Sequence, residues 1–241
     1  MNYWIEKWLK VYLKCFINSI LFHRNVYPAE SFDITTYQAF DLPQFTPVNR
    51  HPGLQEYIEE LILDLLSKLI HIYGLCLCVV TKEDNVCVER YVLSFDEFRH
   101  VDEVGTLSES EVFEEFRSSL NSLTAHLEKL DPIKDDTVAF EIIINTMEMQ
   151  LGHRPQGNER LKNQEAKKAF ERETNWTKCE EDEGLPENLG VYKPKIKMTS
   201  LAGCDVGPLI IHNHCEKLLV SDGSLNGVYV TSQDSSILGS L

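Results

Sequence analysis

The amino-acid sequence predicts an α+β fold, a layer of three helices on a mainly antiparallel sheet. Three observations carry that prediction. Three long stretches place apolar residues at helical spacing; two short apolar runs meet at a turn-forming Asp-Asn; and a polar excursion over 151–190 is followed by two further strand-like stretches.

The elements follow in order. Residues 3–23 read as a helix whose apolar positions, Trp4, Ile5, Trp8, Leu9, Tyr12, Cys15, Phe16 and Ile20, cover more than one stripe. Such a helix is buried on most sides and belongs at the centre of a fold. Pro28, Pro43, Pro47 and Pro52 then punctuate a long loop, expected to be packed on the surface. The second helix is read from LQEYIEELILDLLSKLIHIYG, with Leu54, Tyr57, Ile58, Leu61, Ile62, Leu65, Leu69 and Ile70 in phase and Gly74 as its terminator. LCLCVVT and VCVERYVLSF form a hairpin that turns at Asp84-Asn85. Ser108 and Glu111 have the spacing of a capping box, opening a third helix with Val112, Phe113, Phe116, Leu120, Leu123, Leu127 and Leu130 on its apolar face. In TVAFEIIINTME, Val138, Phe140, Ile142 and Ile144 share one face of a strand. These elements complete a core by residue 150. Beyond the polar segment, PKIKMTSLAG and VGPLIIHNHCEKLLV read as strands and LNGVYV as a weaker one, so the tail is expected to dock on the body and to be able to open.

Composition narrows the function. The chain has 241 residues and a formal net charge of -15, from 38 acidic and 23 basic side chains. Affinity for nucleic acid comes largely from Lys and Arg displacing counterions, so direct nucleic-acid binding is not expected. Glu6, Lys7, Lys10 and Lys14 interrupt the apolar N-terminal stretch, which reads as a buried helix rather than a membrane anchor. Seven cysteines, none in a CxxC pair, fit a reducing compartment. Without secretion the Asn175-Trp176-Thr177 sequon carries no glycan. Trp176 stands among charged and polar neighbours in ETNWTKCEEDE. A large ring in that setting reads as an anchor that buries itself against something elsewhere.

Taken together, FINSILFHRNVYP, HPGLQEYIEELI, NWTKCEEDE and PKIKMTS give the chain a pattern that resembles the HORMA domain. Within that family it is similar to the accessory subunits of the translesion DNA polymerase zeta, in a fungal form, and the resemblance covers essentially the whole chain. It implies a HORMA fold with a core over 1–150 and a C-terminal safety belt over 151–241 of the same domain. The implied function is that of a non-catalytic adaptor in translesion synthesis, working in the nucleus, although the sequence has no basic cluster. Its belt would close over a Pro-containing peptide of the polymerase's catalytic subunit, laid as an added strand against the sheet. Spindle-checkpoint HORMA proteins, which bind other peptides, are the alternative.

The resemblance also implies sites. An aromatic residue of the second helix and a belt tryptophan flank the bound peptide in this family, and the matching positions are Tyr57 and Trp176. Two residues after the tryptophan the vertebrate pattern is apolar, whereas this chain has Lys178, so the outer part of its peptide should differ. On the strand after PKIKMTS, His212 and His214 match contacts to the scaffold deoxycytidyl transferase of lesion bypass. The family also pairs HORMA copies through the third helix; Thr124 stands where vertebrate members carry an arginine, which weakens the expectation of a second copy.

The residues themselves offer little catalytic chemistry, and no cofactor is expected. His212, His214 and Cys215 resemble a metal cluster, but alternation along a strand points Cys215 away from both histidines. Cys76 and Cys78 fall on one strand face inside an apolar run, where packing is their expected role. Asp135-Asp136 and the run Glu180 to Glu183 have no partner base or phosphate loop beside them and read as solvated acidic patches.

Overall fold

A computed structural model describes residues 3–35, 46–98, 107–146, 195–219 and 227–230. The chain divides into two compact units, 1–145 with 194–241, and 146–193. Of the second unit only Thr146 is described, so everything below concerns the first.

Helix α1 (Tyr3–His23) has eleven buried residues on several sides, among them Leu9, Tyr12, Phe16 and Ile20. It packs against α2 (Pro52–Ser67) and α3 (Glu109–Leu127), the central position expected for a helix with more than one apolar stripe. Its interrupting lysines leave the core for carboxylates: Lys7 pairs with Glu109, and Lys10 and Lys14 with Glu59. Among the described residues no helix is long and apolar enough to cross a membrane.

A five-stranded sheet lies against the helices in the order β5-β3-β4-β7-β6. Its members are β3 (Ile72–Thr81), β4 (Cys87–Phe98), β5 (Val138–Thr146), β6 (Lys195–Asp205) and β7 (Leu209–Leu219). The β3–β4, β4–β7 and β6–β7 pairs are antiparallel. Both strands read from the C-terminal part of the sequence therefore belong to the main sheet, β7 beside β4 and β6 at an edge.

Local chemistry explains the boundaries. Asn85 takes φ 55 at the β3–β4 turn, a left-handed conformation that asparagine tolerates well. The capping box at α3 is formed in both directions: Ser108 N donates to Glu111 Oε2 at 2.8 Å, and Glu111 N donates to Ser108 Oγ at 3.3 Å. The hydrogen bond from the Ser108 backbone is the main reason that the Glu111 carboxyl titrates below its ordinary value. In β6, Gly203 lies at a bulge against β7, where an added Cβ would stand 2.3 Å from the Ile211 carbonyl oxygen.

Four expectations need correction. The second helix does not run to Gly74: α2 ends at Ser67, a short 3-10 turn spans Leu69–His71, and Ile72 opens β3. The apolar run continues in helical phase past the break, but Lys68 leaves the helix at φ -118 and pairing with β4 claims the residues beyond. Gly74 pairs with Ser94 inside the sheet, where its small size leaves room for the Asn145 side chain. The Pro-rich loop holds a small antiparallel sheet, β1 (Phe32–Thr35) with β2 (Thr46–Asn49), too short to show a period. Leu130 lies beyond the end of α3. Among the described residues of LNGVYV, 227–230, the pairing is a single bridge, Ile133 with Tyr229, in place of the weaker strand expected.

A buried polar cluster ties that last segment to the body. Arg24 and Glu89, each 1 % exposed, form two hydrogen bonds of 2.7 Å. Tyr91 Oη donates to Glu89 at 2.8 Å and Tyr229 Oη at 3.0 Å, while Arg24 also donates to the Asp131 carbonyl at 3.0 Å. Burial works against the Arg24 charge, but the Glu89 carboxylate outweighs it and the guanidinium titrates above its ordinary value. Every strong donor and acceptor here is matched, the condition under which a buried ion pair is tolerated.

Candidate functional site

Among the described residues β5 has one strand neighbour, β3, and stands at an edge of the sheet. Alternation along β5 divides its side chains. Ala139 and Ile143 pack on Cys76, Cys78 and Val80, whereas Phe140 points toward the helices. Cys76 Sγ and Cys78 Sγ lie 3.6 Å apart inside this cluster, on one strand face as expected, and both are buried.

Phe140 forms the meeting point of an aromatic group. Tyr57, from α2, and Tyr27, from the segment after α1, each place a ring centroid 6.2 Å from that of Phe140 at a steep angle. Edge-to-face rings at this separation attract through their quadrupoles. Tyr57 is 44 % exposed, so half of its ring borders solvent and half the protein. Burial, with a smaller effect of Tyr27, pushes its phenol above the ordinary value, so it remains a hydrogen-bond donor at neutral pH.

These rings line a cavity of about 460 Å³, with Ser31, Asn49, His51, Gly53 and Leu54 as the remaining wall. The sequence builds that wall locally. His51 is the N-cap of α2 and its Nδ1 accepts from Leu54 N at 3.3 Å; Pro52 fills the first helical position, where no N–H is needed. Asn49 closes β2, and Asn18 Oδ1 accepts both its backbone N–H at 3.1 Å and its Nδ2 at 2.9 Å. Gln55 Nε2 donates to the Asn49 carbonyl at 2.7 Å. Asn49 Oδ1 is buried and has no partner.

Among the described residues singled out from sequence, Tyr57 is the one brought to this site. Trp176 and Lys178 lie outside the described residues. His212 and His214 stand on one face of β7, His212 exposed and His214 half-buried with Nε2 3.7 Å from Glu216 Oε1. Cys215 points to the opposite face and is buried, as strand alternation requires. Thr124 sits half-buried on α3, beside the buried Leu123 and Leu127. No group of three or more His, Cys, Asp or Glu among the described residues is placed to hold a metal ion.

Sequence reasoning missed Tyr27, Asn49 and Phe140 as members of one wall. Phe140 was visible as a strand-face residue and His51-Pro52 as a helix start, but nothing in the sequence joins β5 to β2 and α2. The Arg24–Glu89 pair was equally hidden, because two charges 65 positions apart carry no local signal.

Comparisons with known proteins agree with this architecture. A family model described as "HORMA domain" matches residues 6–175. The chain is 58% identical over 244 residues to the "DNA polymerase zeta processivity subunit" of Saccharomyces cerevisiae, covering 100% of both chains. Among solved structures it is similar to a chain of the "Crystal Structure of Mitotic Checkpoint Complex", with TM-score 0.62, 17% identity and coverage of 89% of this chain and 98% of that one. It is also similar to a chain of "C. elegans HTP-1 bound to HIM-3 closure motif", with TM-score 0.59, 11% identity and coverage of 90% and 91%. At those identities the two structures speak for the fold, and the matched length and the full-length relative speak for descent: the chain belongs to the HORMA domain family.

Proposed function

We propose that this protein is a non-catalytic adaptor subunit of DNA polymerase zeta, acting in translesion synthesis and holding a Pro-containing peptide of the catalytic subunit. The observation that carries this reading is the 58% identity to a polymerase zeta processivity subunit across the whole of both chains. The geometry supports the mode of binding. An extended peptide added beside β5, an edge strand among the described residues, would pair with its backbone and run beside the Tyr57 and Phe140 rings. The core over 1–150 supplies that edge, and residues 151–241 act as the belt, with Trp176 and Lys178 as its contacts to the peptide. His212 and His214 form the surface offered to the scaffold deoxycytidyl transferase, and Thr124 marks the helix through which a second HORMA copy would pair. The work of such a subunit is nuclear.

The test is capture by the full chain of synthetic fragments tiling the polymerase zeta catalytic subunit, alongside spindle-checkpoint ligand peptides. Retention of a Pro-containing polymerase fragment with a slow off-rate is expected. Preference for the checkpoint peptides, or retention of neither, overturns the reading.

A further inference from the structure

The first turn of α2 is capped by an imidazole, an acceptor that a proton can remove. His51 is the N-cap, and its Nδ1 accepts from Leu54 N at 3.3 Å. The His51 carbonyl accepts from the same N–H at 3.1 Å and from Gln55 N at 3.0 Å, so the bonds that close this turn end on His51. An imidazole nitrogen that accepts carries no proton, which leaves the ring hydrogen on Nε2. The ring rests against the turn, since a Cβ at Gly53 would stand 3.3 Å from His51 Cε1. Gly53 is a poor helix former, so the turn depends on its cap. His51, Gly53 and Leu54 are themselves part of the cavity wall, and Tyr57 follows in the next turn.

We propose that His51 is a positioning residue that makes the hold on the peptide proton-sensitive: protonation of Nδ1 uncaps α2, loosens the wall that carries Tyr57 and speeds release. The inference rests on the adaptor reading above and adds regulation to the same site. Serine, threonine and asparagine caps do not titrate, whereas imidazole gains a proton between about pH 8 and 5. A protonated Nδ1 sets a donor against the Leu54 N–H and a positive charge against the positive end of the helix. Both effects oppose the capped turn, so the hold is firm at the higher pH and weakens as pH falls. The rest of the wall offers no carboxylate or basic group, only phenols, a hydroxyl, a carboxamide and apolar surface. The first turn of α2 has no acidic residue. The nearest charges along the flanking segments, Glu30, Arg50 and Glu56, are exposed, and Arg50 pairs with Asp33 at 2.7 Å.

The experiment measures the off-rate of the tightest-binding catalytic-subunit fragment from the tiling assay at pH 7.5 and 5.5. Three full-length chains are compared, the unaltered protein, His51→Asn, which keeps a cap that does not titrate, and His51→Ala, which has none. His126 is present in all three, so its effect on stability is common to them. The unaltered chain is expected to release the fragment about 3- to 10-fold faster at the lower pH, the size of a lost N-cap. Each variant is compared with itself, and for both the change with pH should stay within about twofold. At pH 7.5 the His51→Ala chain should release faster than His51→Asn. An off-rate of the unaltered chain that ignores pH, or an equal acceleration in His51→Asn, overturns the proton-sensitive cap and leaves the adaptor reading in place. His51→Ala no faster than His51→Asn at pH 7.5 removes the positioning role and overturns it likewise. Failure of the unaltered chain to retain any fragment overturns both.

Discussion

At the scale of residues, Tyr57 separates binding from stability. Its ring is shared between solvent and Phe140. Tyr57→Ala should weaken capture of the peptide by about 2 kcal/mol, the loss expected of an aromatic anchor, and lower the melting temperature modestly. Trp176→Ala should give a similar loss of affinity with little change in melting. Unchanged dissociation rates for both variants would remove the peptide-clasp role from these residues. Glu89 is the opposite case. Glu89→Gln leaves Arg24 buried and uncompensated, so chemical denaturation should show a loss of about 3 kcal/mol or more. His126 adds a pH dependence. Burial depresses its basicity, and its Nε2 has no hydrogen-bond partner. The unfolded chain then binds that proton more readily than the folded one, so this stability is present above about pH 6.5 and lost as pH falls below it. Melting curves recorded from pH 7.5 to 5.5 should fall less steeply for His126→Gln; identical slopes would contradict the assignment.

At the scale of elements, β6 and β7 join the sheet by a register that tolerates no side chain at one point. Gly203→Ala puts a Cβ against the Ile211 carbonyl oxygen, and a loss of about 2 kcal/mol is expected from the forced shift. A melting temperature equal to that of the unaltered chain would mean that the bulge relaxes freely. The elements were legible in the sequence wherever period and boundary chemistry agreed. The α3 start was readable because Ser108 and Glu111 satisfy each other locally, and the β3–β4 turn because Asn85 accepts a positive φ. Legibility failed at α2, where apolar residues keep helical phase past Ser67 while the chain has already turned toward the sheet. It failed again at β1 and β2, four residues each, too short for a period; they pair with each other while β2 packs on α1.

At the scale of the whole molecule, the architecture was readable and the pocket was not. Helical phase and strand alternation report how each segment buries its own face, which is enough to derive three helices on a sheet. The wall made by Tyr27, Asn49, Tyr57 and Phe140 depends on segments far apart in the chain, so only the assembled fold brings it together. The strand order has a further consequence, for synthesis rather than for binding. Strand β4 lies inside the sheet, yet its neighbour β7 is made more than a hundred residues later. At roughly 5–20 residues per second, a ribosome exposes one side of β4 for several seconds or longer before its partner emerges. During that interval the nascent chain carries an open apolar strand edge that other chains can pair with. Chains halted after Asp205 should therefore sediment as aggregates unless a chaperone is supplied, while full-length chains remain in the supernatant.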